Sequence, residues 1–381
     1  MSGESNPTFL NTSAELILPP LSPVSQRIGM KTYKSSRYNE DAEEQIMNDL
    51  ILQAGKSIVE TCSRLLPSEK AVIVTDNKTG LIGNTIKSFA QNVSDSVAVH
   101  VIEDYSKRPI TFFPEEIEGD IKKSDVTYFA AQSYPGELKD FRHPLIRLAT
   151  SMGREIHMPN INETIMETGM QANYFEVASL TYHIMSIATR SSRARLTSPA
   201  GTDLRATFSP LLKWVPDTGL LWYRGMFGNL PAGETYTCPE TVDGVMVVDG
   251  ILGDYFNEKF GDLQKTPVTI PIQSGRAVID SVTCKNSVLQ KEFTEYLQQD
   301  VHANRVGEFA CGTNTSLKKF VGNLLQDEKF PGVHIAFGYP YPEHTGADWE
   351  SGGHVDGIMR KCTLWFDDRK IMENGMYKMS S

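Results

Sequence analysis

Two residues in SGGHVDGIMR (351–360) raise the first chemical question. His354 and Asp356 are separated by one position, and in an extended strand positions i and i+2 face the same side. An imidazole and a carboxylate are then aimed at one point from one backbone, an economical way to hold a metal ion. Gly352, Gly353 and Gly357 flank the pair. We expect them to tolerate tight backbone angles and let the chain run close to the site. The spacing alone is weak evidence, so further ligands must come from elsewhere.

Three earlier segments offer them. GNLPAGETYTCP (228–239) sets Glu234 between a Pro-Ala-Gly turn and a short polar-aromatic strand. ANRVGEFACGTN (303–314) sets Glu308 just after Gly307, and VHIAFGYPYP (333–342) carries His334 and Tyr341. Taken singly, each has a plain explanation. The acids read as solvated or salt-bridged, His334 as a core histidine and Tyr341 as a packing residue.

In this order, the four segments resemble the metallo-aminopeptidases of the thermophilic aminopeptidase T and staphylococcal aminopeptidase S type. The resemblance covers roughly residues 195–381. It implies that Glu234, Glu308, His334, Tyr341, His354 and Asp356 hold two divalent metal ions (Zn, Co or Mn). It also implies catalytic roles for Glu234, Glu308 and Tyr341, a small peptide substrate, and a homodimer. The chemistry agrees: two ions ~3.5–4 Å apart need about six protein ligands and a bridging water. Carboxylates can bridge, and a tyrosine hydroxyl can stabilise a developing oxyanion. The chain departs from the family at Gly233, where an acid often precedes the glutamate.

The same fold resembles that of the dihydroxypyridine ring-cleaving dioxygenases. Those use one Fe(II) held by two histidines and a carboxylate. His302, His354 and Asp356 are the corresponding candidate triad, acting on a small-molecule substrate. A non-catalytic binding protein on this scaffold is a third possibility, and the presence of all six ligand types weighs against it.

Composition narrows the rest. The chain has 381 residues, 40% apolar and 22% charged, which suits two packed soluble domains. A net charge of −10 argues against nucleic acid or an anionic membrane as partner. No apolar run approaches the ~18 residues of a membrane span. The start of the chain lacks the basic and apolar blocks of a secretory signal. Five scattered cysteines without a CxxC read as reduced thiols, so a cytoplasmic location is expected.

Residues 1–40 read as a flexible arm rich in Ser, Pro and Asn. Residues 41–190 read as an open, doubly wound α/β domain: strand patterns at 71–76, 96–104, 125–131 and 154–160 alternate with helical patterns at 40–65, 79–92 and 143–153. TDNKTGLIGN after the first strand matches no nucleotide-binding fingerprint, so no nucleotide cofactor is expected. Residues 191–381 read as a mixed α/β metal-binding domain. Strands are expected near 194–208, 241–252 and 266–284, and helices at 287–300 and 314–327.

Overall fold

The structure is a computed structural model, and it describes residues 36–378. The expected arm over 1–40 lies, up to residue 35, outside the described residues. The protein is a mixed α/β structure with one parallel and two antiparallel sheets.

The first half is doubly wound as its pattern implies. Strands Ala71–Thr75, Val97–Val101, Val126–Ala131 and Arg154–Pro159 pair in parallel. The first strand shows why both faces are covered. Ala71 and Ile73 pack with Ile82 and Ile86 of helix Gly80–Val93, while Val72 and Val74 pack with Ile117 and Leu145 on the other side. The fifth strand, Phe227–Asn229, adds in parallel to Arg154–Pro159 although it lies well beyond residue 190. Three residues are too few to show a strand pattern in sequence. Helix Tyr174–Ala188 contributes Val177 to one core and Ile184 to the other, which joins the two halves.

The second half is two antiparallel sheets packed face to face. A nine-stranded sheet includes Arg193–Thr197, Asp203–Thr207, Thr241–Val248 and Val268–Gln273. A five-stranded sheet runs in the order His354–Ile358, Gly332–Gly338, Val306–Gly312, Glu234–Thr237, Val215–Asp217. Leu196, Leu204, Met246 and Ile270 of the first sheet meet Phe309, Cys311, Ile335 and Phe337 of the second in one core.

The helix expected at 287–300 is present as Ser287–Tyr296. The one expected over 314–327 is a loop that ends in the short helix Leu324–Asp327. Local polar bonds defeat the helical pattern there. Asn314 is buried and its amide donates to Ala232 O at 3.0 Å, while Gly322 takes φ +76°. The Asp327 carboxylate accepts the N–H groups of Val321, Gly322 and Asn323. None of the described helices is long and apolar enough to cross a membrane.

Candidate metal centre

Strand alternation decides which side chains face the site. Phe309, Cys311, Val333, Ile335, Phe337 and Val355 point into the core between the sheets. Glu308, His334, His354 and Asp356 therefore share the other face of the five-stranded sheet.

The register explains why there is room among them. Glu234 is paired with Gly312, His334 with Ala310, Glu308 and Asp356 both with Ala336, and His354 with Gly338. Each of these five candidate ligands thus has alanine or glycine as one cross-strand neighbour on its own face. The space between the acids and the imidazoles stays clear.

Glu308 sits at the middle of the set. Its Oε1 lies 3.6 Å from His334 Nε2 and its Oε2 lies 3.3 Å from His354 Nε2. His334 Nε2 is also 3.3 Å from Glu234 Oε2, and His354 Nε2 is 3.3 Å from Asp356 Oδ1. Two groups result, Glu234–Glu308–His334 and Glu308–His354–Asp356, each with ligand atoms within 4.8 Å of one another. Both could hold a metal ion, and they share Glu308. His354 Nδ1 donates to Tyr339 O at 2.9 Å, which fixes the tautomer and leaves Nε2 to the site.

The electrostatics fit a divalent cation. Three buried carboxylates face two imidazoles, and Glu234 Oε2 has no hydrogen-bond partner. Burial alone would lower both imidazoles. Glu234 and Glu308 around His334, and Asp356 and Glu308 around His354, instead hold them well above the usual range. A dication bound here would displace ligand protons and take over that charge balance.

Tyr341 follows the Gly332–Gly338 strand in a left-handed conformation, φ +51°. Its ring meets His354 edge-on at 5.0 Å and Tyr236 at 5.7 Å. Burial and the charges of Glu308 and Asp356 push its hydroxyl well up, so it stays a neutral donor. The site opens into a cavity of about 860 Å³ that Glu234, Glu308, Tyr341, His354 and Asp356 help to line.

Two expectations need correction. The structure does not bring His302 to His354 and Asp356; Glu308 completes that group instead. His302 sits in a turn where its N–H donates to Asp300 Oδ1 at 2.8 Å. Its ring lies 5.1 Å from that of Trp349, and its Nδ1 is 3.2 Å from an Arg276 nitrogen. The glycines around the HVD stretch also act differently from the expectation. None of Gly352, Gly353 and Gly357 has positive φ. A Cβ on Gly357 would meet Met246 Cε at 2.4 Å, and one on Gly353 would meet Tyr296 Oη at 2.4 Å. These two permit close packing behind the strand, while Ala310, Ala336 and Gly338 make the room in front.

Sequence reasoning missed Lys329, Glu328 and Asp217. Lys329 is fully buried, with Nζ 2.5 Å from Glu234 Oε1, 2.9 Å from Glu328 Oε1 and 3.4 Å from Asp217 Oδ2. Burial would raise the Glu234 carboxyl, but Lys329 and His334 hold it down at about 2. Burial, with Glu234 and Asp356 adding to it, pushes Glu328 up to about 8. Asp217 rises to about 6 from burial and the Glu234 charge. Lys329 and Glu328 lie in QDEKFPG and Asp217 in VPDTG, stretches without a metal-ligand spacing.

Comparison with known proteins adds the family. The model of the 2,5-dihydroxypyridine 5,6-dioxygenase family, NicX, matches residues 176–379, which span all six candidate ligands. The chain belongs to the NicX family. Solved structures of similar fold include the 2,5-dihydroxypyridine dioxygenase of Pseudomonas putida KT2440, at 14% identity and a TM-score of 0.65. That match covers 88% of this chain and 98% of that one. Wild-type AmpT of Thermus thermophilus is alike at 16% identity and a TM-score of 0.65, covering 87% of this chain and 99% of that one. At such identities the likeness to both structures is one of fold. No curated protein matches the chain.

Proposed function

We propose that the protein is a metal-dependent aminopeptidase that removes N-terminal residues from small peptides, working with two divalent metal ions (Zn, Co or Mn). The observation that carries this reading is the pair of donor groups joined through Glu308, each containing one imidazole. The two imidazoles fall in separate groups, and Glu308 faces both of them.

In this reading Glu234 and His334 would hold one ion, His354 and Asp356 the other, with Glu308 available to both and Tyr341 beside His354 as the sixth candidate ligand. Bound ions would supply an activated water and a Lewis acid for the scissile carbonyl. The chain's own groups do the rest. The Tyr339 carbonyl keeps His354 Nε2 turned to the site. Tyr341, kept neutral, can donate a hydrogen bond to a developing oxyanion. Glu328 lines the cavity with a carboxyl pushed up to about 8, so it can carry a proton near neutral pH. It offers an acid near the site although Gly233 stands where the aminopeptidases often have one.

The test is release of aryl amine from amino-acyl anilides under anaerobic conditions, with Zn, Co or Mn supplied. Cleavage that needs metal and no oxygen supports the proposal.

A second reading is an Fe(II)-dependent ring-cleaving dioxygenase of the 2,5-dihydroxypyridine kind, favoured by the family match over residues 176–379. It would rest on the Glu308–His354–Asp356 group. Iron-dependent oxygen uptake with 2,5-dihydroxypyridine, with no anilide cleavage, would select it over the first.

A further inference from the structure

Arg142 lies on the wall of the same cavity as the candidate metal ligands. Two other buried guanidiniums in the protein are met by carboxylates. Arg108 pairs with Asp76 and Glu137, and Arg154 pairs with Glu69. Arg142 makes no ion pair among the described residues. One terminal nitrogen donates to Ser133 Oγ at 2.5 Å and the other to His157 Nε2 at 3.1 Å. Its Nε is buried without a partner.

Neither partner offsets the charge. Because His157 Nε2 accepts from Arg142, the imidazole proton is on Nδ1 and is donated to Glu155 Oε1 at 2.8 Å. Burial holds His157 well below its usual range and pushes Glu155 up to about 8. Asp254, another cavity-lining residue, attracts the guanidinium, as do Glu155 and Glu137, but none of the three makes an ion pair with it.

The cation is also held in place. His157 stacks on Phe129 at 4.8 Å with 16° between the rings, and the Arg142 guanidinium sits 5.8 Å from the Phe129 ring. A largely desolvated charge without a counter-ion is costly to keep. A planar guanidinium fixed on a cavity wall is well suited to bind a carboxylate.

We infer that Arg142 binds a carboxylate of the substrate, so that the substrates are di- and tripeptides with a free C-terminal carboxylate. The peptide part of this inference rests on the aminopeptidase reading. A cavity of about 860 Å³ falls within the range of small-molecule sites.

The experiment compares leucylglycine with leucylglycinamide as substrates of the metal-loaded protein. The acid should be cleaved at least about tenfold more efficiently, as expected from one charge-assisted hydrogen-bond pair. Arg142→Met should remove that preference mainly through KM, and Arg142→Lys should keep part of it; circular dichroism checks that both fold. Equal cleavage of acid and amide by the wild type overturns the inference and leaves the aminopeptidase reading standing. If neither compound is cleaved, that reading fails, and calorimetry with the same two compounds decides the carboxylate site. Binding of the acid alone, lost in Arg142→Met, supports it. Equal binding or no binding of the two overturns it.

Discussion

Lys329 Nζ lies 2.5 Å from Glu234 Oε1, and the lysine is fully buried beside the candidate metal centre. The contact keeps Glu234 ionised, with its carboxyl held at about 2. It also occupies one of the two oxygens that Glu234 could offer to a metal. Lys329 is thus part of the charge balance of the site.

Lys329→Met should therefore destabilise the metal-free protein by about 3–5 kcal/mol, the usual cost of removing one partner from a buried ionic cluster. Added metal should recover part of the loss, because Glu234 would then have both oxygens free. Urea unfolding with and without chelator measures this. A variant as stable as wild type without metal would show that Lys329 does not balance these acids.

Glu308 faces both imidazoles, and Glu234 only one. Glu308→Gln should weaken both metal positions, while Glu234→Gln should weaken one. Loss of an outer partner of a metal typically costs ~10–100-fold in affinity, and loss of a direct ligand should cost at least that. Competition with a chelator gives the affinities. Equal, single-position losses in the two variants would remove Glu308 from its shared role.

Ala336 is the register partner of both Glu308 and Asp356. Ala336→Val adds bulk beside them without changing a ligand. It should cost about 1–3 kcal/mol in stability, typical of overpacking, and sharply reduce metal content in protein that still folds. Wild-type metal content in this variant would mean that the clear space at Ala336 is not where the ions sit.

Glu155 gives a pH dependence with a definite sign. Its carboxyl is raised by burial from an ordinary 4.5 to about 8. Between those values the folded state holds a proton that the unfolded state has lost. Its contribution is full below pH 4.5 and fades as pH rises through about 8. Glu155→Gln keeps an acceptor for His157 and removes this slope, so its melting temperature should exceed that of wild type at pH 8 and differ little at pH 5. Thermal melts across that range that ran parallel to wild type would contradict it.

Most of the order of elements, and five residues that the fold draws together around Glu308, were legible in the chain, for separate reasons. Strands such as AVIVT, buried on both faces, are continuous apolar runs whose neighbours alternate with helices. The HVD pair, spaced two apart, does lie on one face of a strand. Pairing register was not legible, because it depends on partners far away in sequence. That is why the roles of Ala310 and Ala336 were invisible. Lys329 and Arg142 were missed for a similar reason. Each looks like an ordinary surface cation until the fold buries it. His302 misled because its distance along the chain from His354 says nothing of the turn that holds it against Trp349.

The central claim is a centre that holds two ions through a shared Glu308. Metal stoichiometry in protein purified without chelators, with the element identified, tests it most directly. The account predicts two Zn, Co or Mn ions per chain, falling below one in Glu308→Gln. One iron per chain, retained in Glu234→Gln, would contradict it.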